Sequence, residues 1–109
     1  MITITIYQNR EQVAQGFRCI GHAGYANVGE DIVCSAVSVL VINTINSIEV
    51  YTDAEFDIET EEETGLIAFR LKHPANHDET LLIDSMILGL QGIQNEYENK
   101  YLRLEIKEV

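Results

Sequence analysis

The sequence predicts a single α+β domain of order ββαββαβ, with a largely antiparallel sheet packed against two helices. Three observations carry this. Apolar and polar residues alternate in short runs near both ends and in the middle of the chain. Two long stretches between those runs contain no proline. The 109 residues are the usual size of one domain, taken here as residues 1–109.

Ile2, Ile4 and Ile6 alternate with Thr3, Thr5 and Tyr7, the two-residue period of a half-buried strand. Phe17, Cys19 and Gly21 alternate with Arg18, Ile20 and His22, which puts a second strand over about Gly16 to Ala23, paired with the first as a hairpin. Gly24-Tyr25-Ala26-Asn27-Val28-Gly29-Glu30 has no period and reads as a glycine-bounded loop. From Asp31 to about Glu49 the chain lacks Gly and Pro and opens on a good N-cap, so a helix is expected with Asp31 capping it. Its many β-branched residues, Val33, Val37, Val41, Ile45 and Ile48 among them, resist that reading because they lose rotamer freedom in a helix. Length decides for the helix, since strands rarely run so far without a turn signal. A helix apolar around most of its surface is expected to be central, buried on more than one side.

Phe56 and Ile58, the acidic turn Glu61-Glu62-Glu63-Thr64-Gly65 and the run from Leu66 to Lys72 predict a second hairpin, ended by Pro74. From about Asp78 to Glu98, Leu82, Met86, Leu90, Ile93 and Tyr97 recur at helical spacing, with Gly89 and Gly92 expected to allow close packing. Leu102, Leu104 and Ile106 form a last alternating strand.

Eighteen carboxylates against seven Lys and Arg leave a net charge of −11, and the cations are scattered along the sequence. Such a field repels phosphate backbones and anionic lipid, so neither nucleic acid nor a membrane surface is an expected partner, while a basic polypeptide is. The longest apolar run, Ile32 to Leu40, is broken by Ser35 and Ser38 and falls short of the roughly 20 residues of a spanning helix. Met1 to Arg10 has neither the basic start nor the cleavage site of a signal peptide, so a cytoplasmic location is expected by default. In that reducing setting Cys19 and Cys34 are read as thiols rather than as a disulfide.

The chemistry points to the segment from Gly21 to Ser38. With Asp31 as N-cap, Cys34 falls in the first helical turn, where free backbone N–H groups and the helix dipole favour a thiolate. Those N–H groups, that of Cys34 included, are also the expected donors to an oxyanion. Asp31, Cys34 and Ser38 share one stripe of such a helix, and His22, at the other end of the glycine loop, can return to the helix start. A Cys amid Val and Ile is commonly a core residue; the conjunction of a helix-start Cys, a glycine loop and a His is what suggests a Cys-His dyad. Zinc is disfavoured, because Cys19 and His22 fall on opposite faces of a strand and Pro74 separates His73 from His77. No metal and no cofactor are expected. Ser38 is given a supporting role at most, since a helical Ser commonly bonds back to the backbone.

Gly21-His22-Ala23-Gly24-Tyr25, the G-x-D-I-V-C run ending at Cys34 and Ala36-Val37-Ser38, continued by Asn43-Thr44 and Asn46, resemble the ribosomal-processing cysteine proteases of the Prp family. The resemblance implies a homodimeric endopeptidase that removes a short N-terminal extension from large-subunit ribosomal protein number twenty-seven, cutting after an aromatic pair. It implies Cys34 as nucleophile and His22 as general base and acid, with Gly21, Asp31 and Ser38 as further motif residues. Ser35 departs from the family, which more often has Ala there. Gly24, Tyr25 and Gly29 are expected to belong to a substrate-contacting loop. The rival readings are a non-enzymatic ribosome-associated module that holds a basic tail and, more weakly, an acyl-transferase using the same dyad.

Overall fold

The computed structural model describes residues 1–21 and 28–109, with side chains in the second segment from residue 31 onward. Five strands and two helices follow one another as β1 (Ile2–Gln8), β2 (Ala14–Ile20), α1 (Val28–Tyr51), β3 (Phe56–Glu61), β4 (Leu66–Leu71), α2 (His77–Glu96) and β5 (Leu102–Glu108). This is the predicted ββαββαβ order.

The strands form one mixed sheet in the order β3-β4-β2-β1-β5. Three pairings are antiparallel, including both predicted hairpins; β1 with β5 is parallel, in register from Ile2 opposite Leu102 to Gln8 opposite Glu108. The sequence pattern could not show the parallel pair, because alternation reads the same in either direction. Topology explains it. A helix joining two strands carries the chain back to its starting level, so β3 re-enters in the direction of β2 and β5 in the direction of β4.

Both crossovers lie on one face of the sheet. That face contributes Ile2, Ile4, Ile6, Phe17, Cys19, Phe69, Leu71 and Leu102 to the core; α1 adds Val33, Val37, Val41, Ile45 and Ile48, and α2 adds Ile83, Met86 and Leu90. Phe17 and Phe69, directly opposed across β2 and β4, stack with ring centroids 4.9 Å apart. Buried Thr44 on α1 donates its hydroxyl to the Leu40 carbonyl at 2.7 Å, so its polar atom is satisfied in the apolar layer.

Helix α1 begins at Val28, three residues before the expected start. Asp31 is therefore inside the helix and is not its N-cap. The predicted central burial also gives way: α1 buries one stripe, while Ile32, Val39 and Ile42 are about half exposed or more. Asp31–Tyr51 has the length and hydropathy to cross a bilayer, which a search for unbroken apolar runs does not register; here its Val33-Val37-Val41 stripe packs into the core. Helix α2 starts with a capping box. Asn76 accepts from the Glu79 backbone N–H at 3.0 Å and donates its own backbone N–H to Glu79 Oε1 at 3.2 Å, which fixes the start at His77. Gly89 packs against Leu40, and a Cβ there would lie 2.9 Å from its Cδ1. Gly92 meets nothing within 4 Å, so the packing expected of it is absent.

Candidate active site

Strand β2 ends at Ile20, short of the predicted Ala23, because Gly21 turns the backbone out of the ladder at φ +96°. Only glycine adopts that conformation without strain. Its N–H donates to the Thr64 carbonyl at 2.9 Å, and a Cβ on Gly21 would stand 2.5 Å from the Met1 carbonyl oxygen. The residue that precedes His22 is thus held between β1 and the β3–β4 turn.

On the other side of the same space, α1 presents Cys34, Val37 and Ser38. Together with Ile2, Cys19 and Gly21 they border a cavity of about 320 Å³, whose remaining wall is Thr60 and Glu61 from the end of β3, Glu62 and Gly65 from the turn, and Leu66 and Ile67 from the start of β4. The floor is apolar and the rim acidic. Cys34 is half-buried and packs against the core, while Cys19 on β2 is 5% exposed. Burial raises the Cys19 thiol pKa to about 11, with a smaller contribution from nearby Cys34.

The sequence-predicted residues divide as follows. Gly21, Cys34 and Ser38 all line this cavity; of the predicted Asp31, Cys34 and Ser38 stripe, only the last two do. Asp31 is exposed and does not line it. Gly29 lies in the first turn of α1 rather than in a loop. His22, Gly24 and Tyr25 fall outside the described residues.

The early start of α1 changes the electrostatics expected at Cys34. As the seventh helical residue, Cys34 has its N–H in the intrahelical ladder, since only the first four N–H groups of a helix lack such partners. That N–H is not free to stabilise an oxyanion, which corrects the expectation for it. The helix terminus is also about 9 Å away along the axis, beyond the first turn where its dipole acts strongly. Among the described residues that line the cavity, none is cationic.

Sequence reasoning missed the wall formed by residues 60–62 and 65–67. Their acidity was visible, but only strand register places the end of β3 and the start of β4 beside Cys19, which is paired with Ile67. The possible zinc ligands are also separated: Cys19 faces Ile67 at the start of β4, whereas His73 lies beyond that strand's far end. Among the described residues, no three His, Cys, Asp or Glu side chains gather as a metal site.

The family model described as "Cysteine protease Prp" matches residues 1–102. A curated relative, the ribosomal processing cysteine protease Prp of Staphylococcus aureus, is 32% identical over 107 residues, covering 98% of this chain and all of the relative. The protein of the same name from Bacillus subtilis is 30% identical over 103 residues, covering 91% and 92% of the two chains. Among solved structures, the S. aureus Prp protease in complex with a substrate peptide superposes with a TM-score of 0.91 at 31% identity, over 98% of this chain and all of that one. Its complex with a covalently linked product peptide gives 0.88 at 32% identity, with the same coverage.

Proposed function

The chain belongs to the Prp family of cysteine proteases, and from that premise we propose that it is a ribosomal-processing endopeptidase that attacks its substrate through Cys34. The observation that carries the residue assignment is the cavity itself, where Cys34 opens beside Ser38 onto an apolar floor with an acidic rim.

His22 draws the proton from Cys34, and the thiolate attacks the scissile carbonyl to give a tetrahedral oxyanion. His22 then protonates the leaving amine, and water hydrolyses the thioester. Pairing with the His22 imidazolium favours the thiolate once the proton has moved. The Cys34 N–H being committed to the helix, the oxyanion takes its hydrogen bonds from other donors. Gly21 positions His22 through its left-handed backbone. Asp31 acts as a carboxylate in the first turns of α1, favourable to the helix dipole.

The substrate is the N-terminal extension of large-subunit ribosomal protein number twenty-seven, cut after its aromatic pair. Two features support this choice: the apolar floor suits bulky side chains, and the rim suits a basic polypeptide. Eight carboxylates from Glu49 to Glu63 are all exposed and contain no Lys or Arg between them. A cytoplasmic homodimer completes the reading, with the exposed Ile32, Val39 and Ile42 of α1 as apolar surface for a second copy.

The test incubates purified wild-type, Cys34→Ala and His22→Ala proteins with the extended ribosomal protein and with a version whose aromatic pair is replaced by Ala. Wild type should cut only the former, leaving a free carboxylate on the released peptide, and both variants should be slower by at least about a thousandfold. Near-wild-type cleavage by Cys34→Ala removes that residue from the mechanism; equal cutting of both substrates removes the proposed specificity.

A further inference from the structure

The second cysteine of this chain takes no step in the cleavage proposed above, yet it lines the same cavity as the first. Cys19 sits on β2 between Ile4 of β1 and Ile67 of β4, its side chain directed to the helix-covered face; Cys34 projects toward that face from α1. The two thiols differ in their surroundings. Cys34 is half-buried and Cys19 is almost fully buried, so a dissolved oxidant meets Cys34 first.

We propose that Cys19 is the resolving partner of Cys34, so that a hydroperoxide converts the pair to a reversible Cys19–Cys34 disulfide that closes the cavity and protects Cys34 from irreversible oxidation. In the first step the Cys34 thiolate attacks one oxygen of the hydroperoxide; an S–O bond forms, the O–O bond breaks, and with hydrogen peroxide hydroxide leaves. Cys34 sulfur is oxidised by two electrons and the peroxide is reduced by two, giving a sulfenic acid. In the second step Cys19 sulfur attacks Cys34 sulfur; the S–S bond forms and the S–O bond breaks. The departing hydroxide takes the Cys19 proton and leaves as water. Two thiols and one hydrogen peroxide give one disulfide and two waters.

The cavity of about 320 Å³ exceeds the roughly 30 Å³ share of one water, so the sulfenic oxygen fits before it is expelled. The raised pKa of Cys19 keeps it a thiol in the resting protein, which preserves it from direct oxidation. Formation of the bond is independent of what Cys34 does to peptides; only its consequence for cleavage rests on the protease reading.

The experiment treats the full-length reduced protein with one to ten equivalents of hydrogen peroxide, blocks remaining thiols and measures intact mass and peptide maps. Wild type should lose two hydrogens and yield a Cys19–Cys34 cross-linked peptide that dithiothreitol reverses, together with any cleavage activity. Cys19→Ala should instead accumulate a dimedone-reactive sulfenic acid, then a sulfinic acid at least tenfold faster than wild type, and should not recover its own starting activity with dithiothreitol. The wild-type map stands by itself should Cys19→Ala fold poorly. The proposal is overturned if wild type yields no internal cross-link, yields only Cys34–Cys34 dimers, or reaches the sulfinic acid as fast as the variant.

Discussion

Replacing Gly21 by Ala tests whether the turn at the end of β2 positions the residue after it. Two costs act together. At φ +96° an L side chain is strained, typically by about 1–3 kcal/mol. The new Cβ also falls 2.5 Å from the Met1 carbonyl oxygen, a backbone atom fixed in the β1 region, so the turn must shift and the 2.9 Å bond from Gly21 N–H to the Thr64 carbonyl lengthens. A loss of about 3 kcal/mol is expected, which for a domain of this size lowers the melting temperature by about 12 °C or more. Gly92→Ala is the matched control: it lies in α2, meets nothing within 4 Å, and should stabilise by about 0.5–1 kcal/mol because Ala is the better helix former. Thermal unfolding followed by circular dichroism reads both, and peptide cleavage below the melting transition tests the role proposed for His22. If Gly21→Ala melts within a degree or two of wild type and cleaves normally, the left-handed turn does not hold the site and the reasoning fails.

Two further expectations concern charge. Cys19 holds its proton in the folded chain up to about pH 11, whereas its ordinary value is 9.0, so its contribution to stability is complete below pH 9 and is lost as pH rises through 11. Denaturant unfolding from pH 8 to 11 should fall less steeply in Cys19→Ala than in wild type, and parallel slopes would show that burial does not hold the thiol proton. Raising salt from 0.05 to 0.5 M shortens the screening length to less than about 5 Å, so kcat/KM on a basic substrate should drop severalfold with kcat nearly constant. A salt-independent kcat/KM would mean that the carboxylates between Glu49 and Glu63 take no part in encounter.

The elements were legible wherever one face is buried and the other wet. The Ile2-Ile4-Ile6 alternation and the Leu82-Met86-Leu90 spacing read directly, because burial imposes the period. Helix α1 was legible as a helix but not in its start: Asp31 is a good capping residue in the wrong place, and the sequence before it, with two glycines, has no apolar period to betray a helical turn. That shift of three residues moved Cys34 from the first turn to the second and removed the dipole and the free N–H from the account of its reactivity. Of the stripe read as Asp31, Cys34 and Ser38, the last two share the cavity, since relative angles along a helix do not depend on where it begins, while Asp31, one turn earlier, is exposed. Cys19 was placed on its strand correctly, but its proximity to Cys34 depends on how α1 lies across the sheet, which no local pattern encodes.

The pairing of β1 with β5 has a kinetic consequence. Ile2, Ile4 and Ile6 cannot be flanked on both sides until Leu102–Glu108 arrives, although their other neighbour, β2, is available after a short turn. Joining strands about a hundred residues apart costs on the order of 4 kcal/mol of chain entropy before any contact repays it. During synthesis the first hairpin must therefore wait with a bare edge while almost everything else is made, and the last strand acts as the latch that commits the domain to its folded state. Removing β5 would strip more than its own few buried side chains: it would leave the oldest strand of the nascent chain open to pairing with a neighbour.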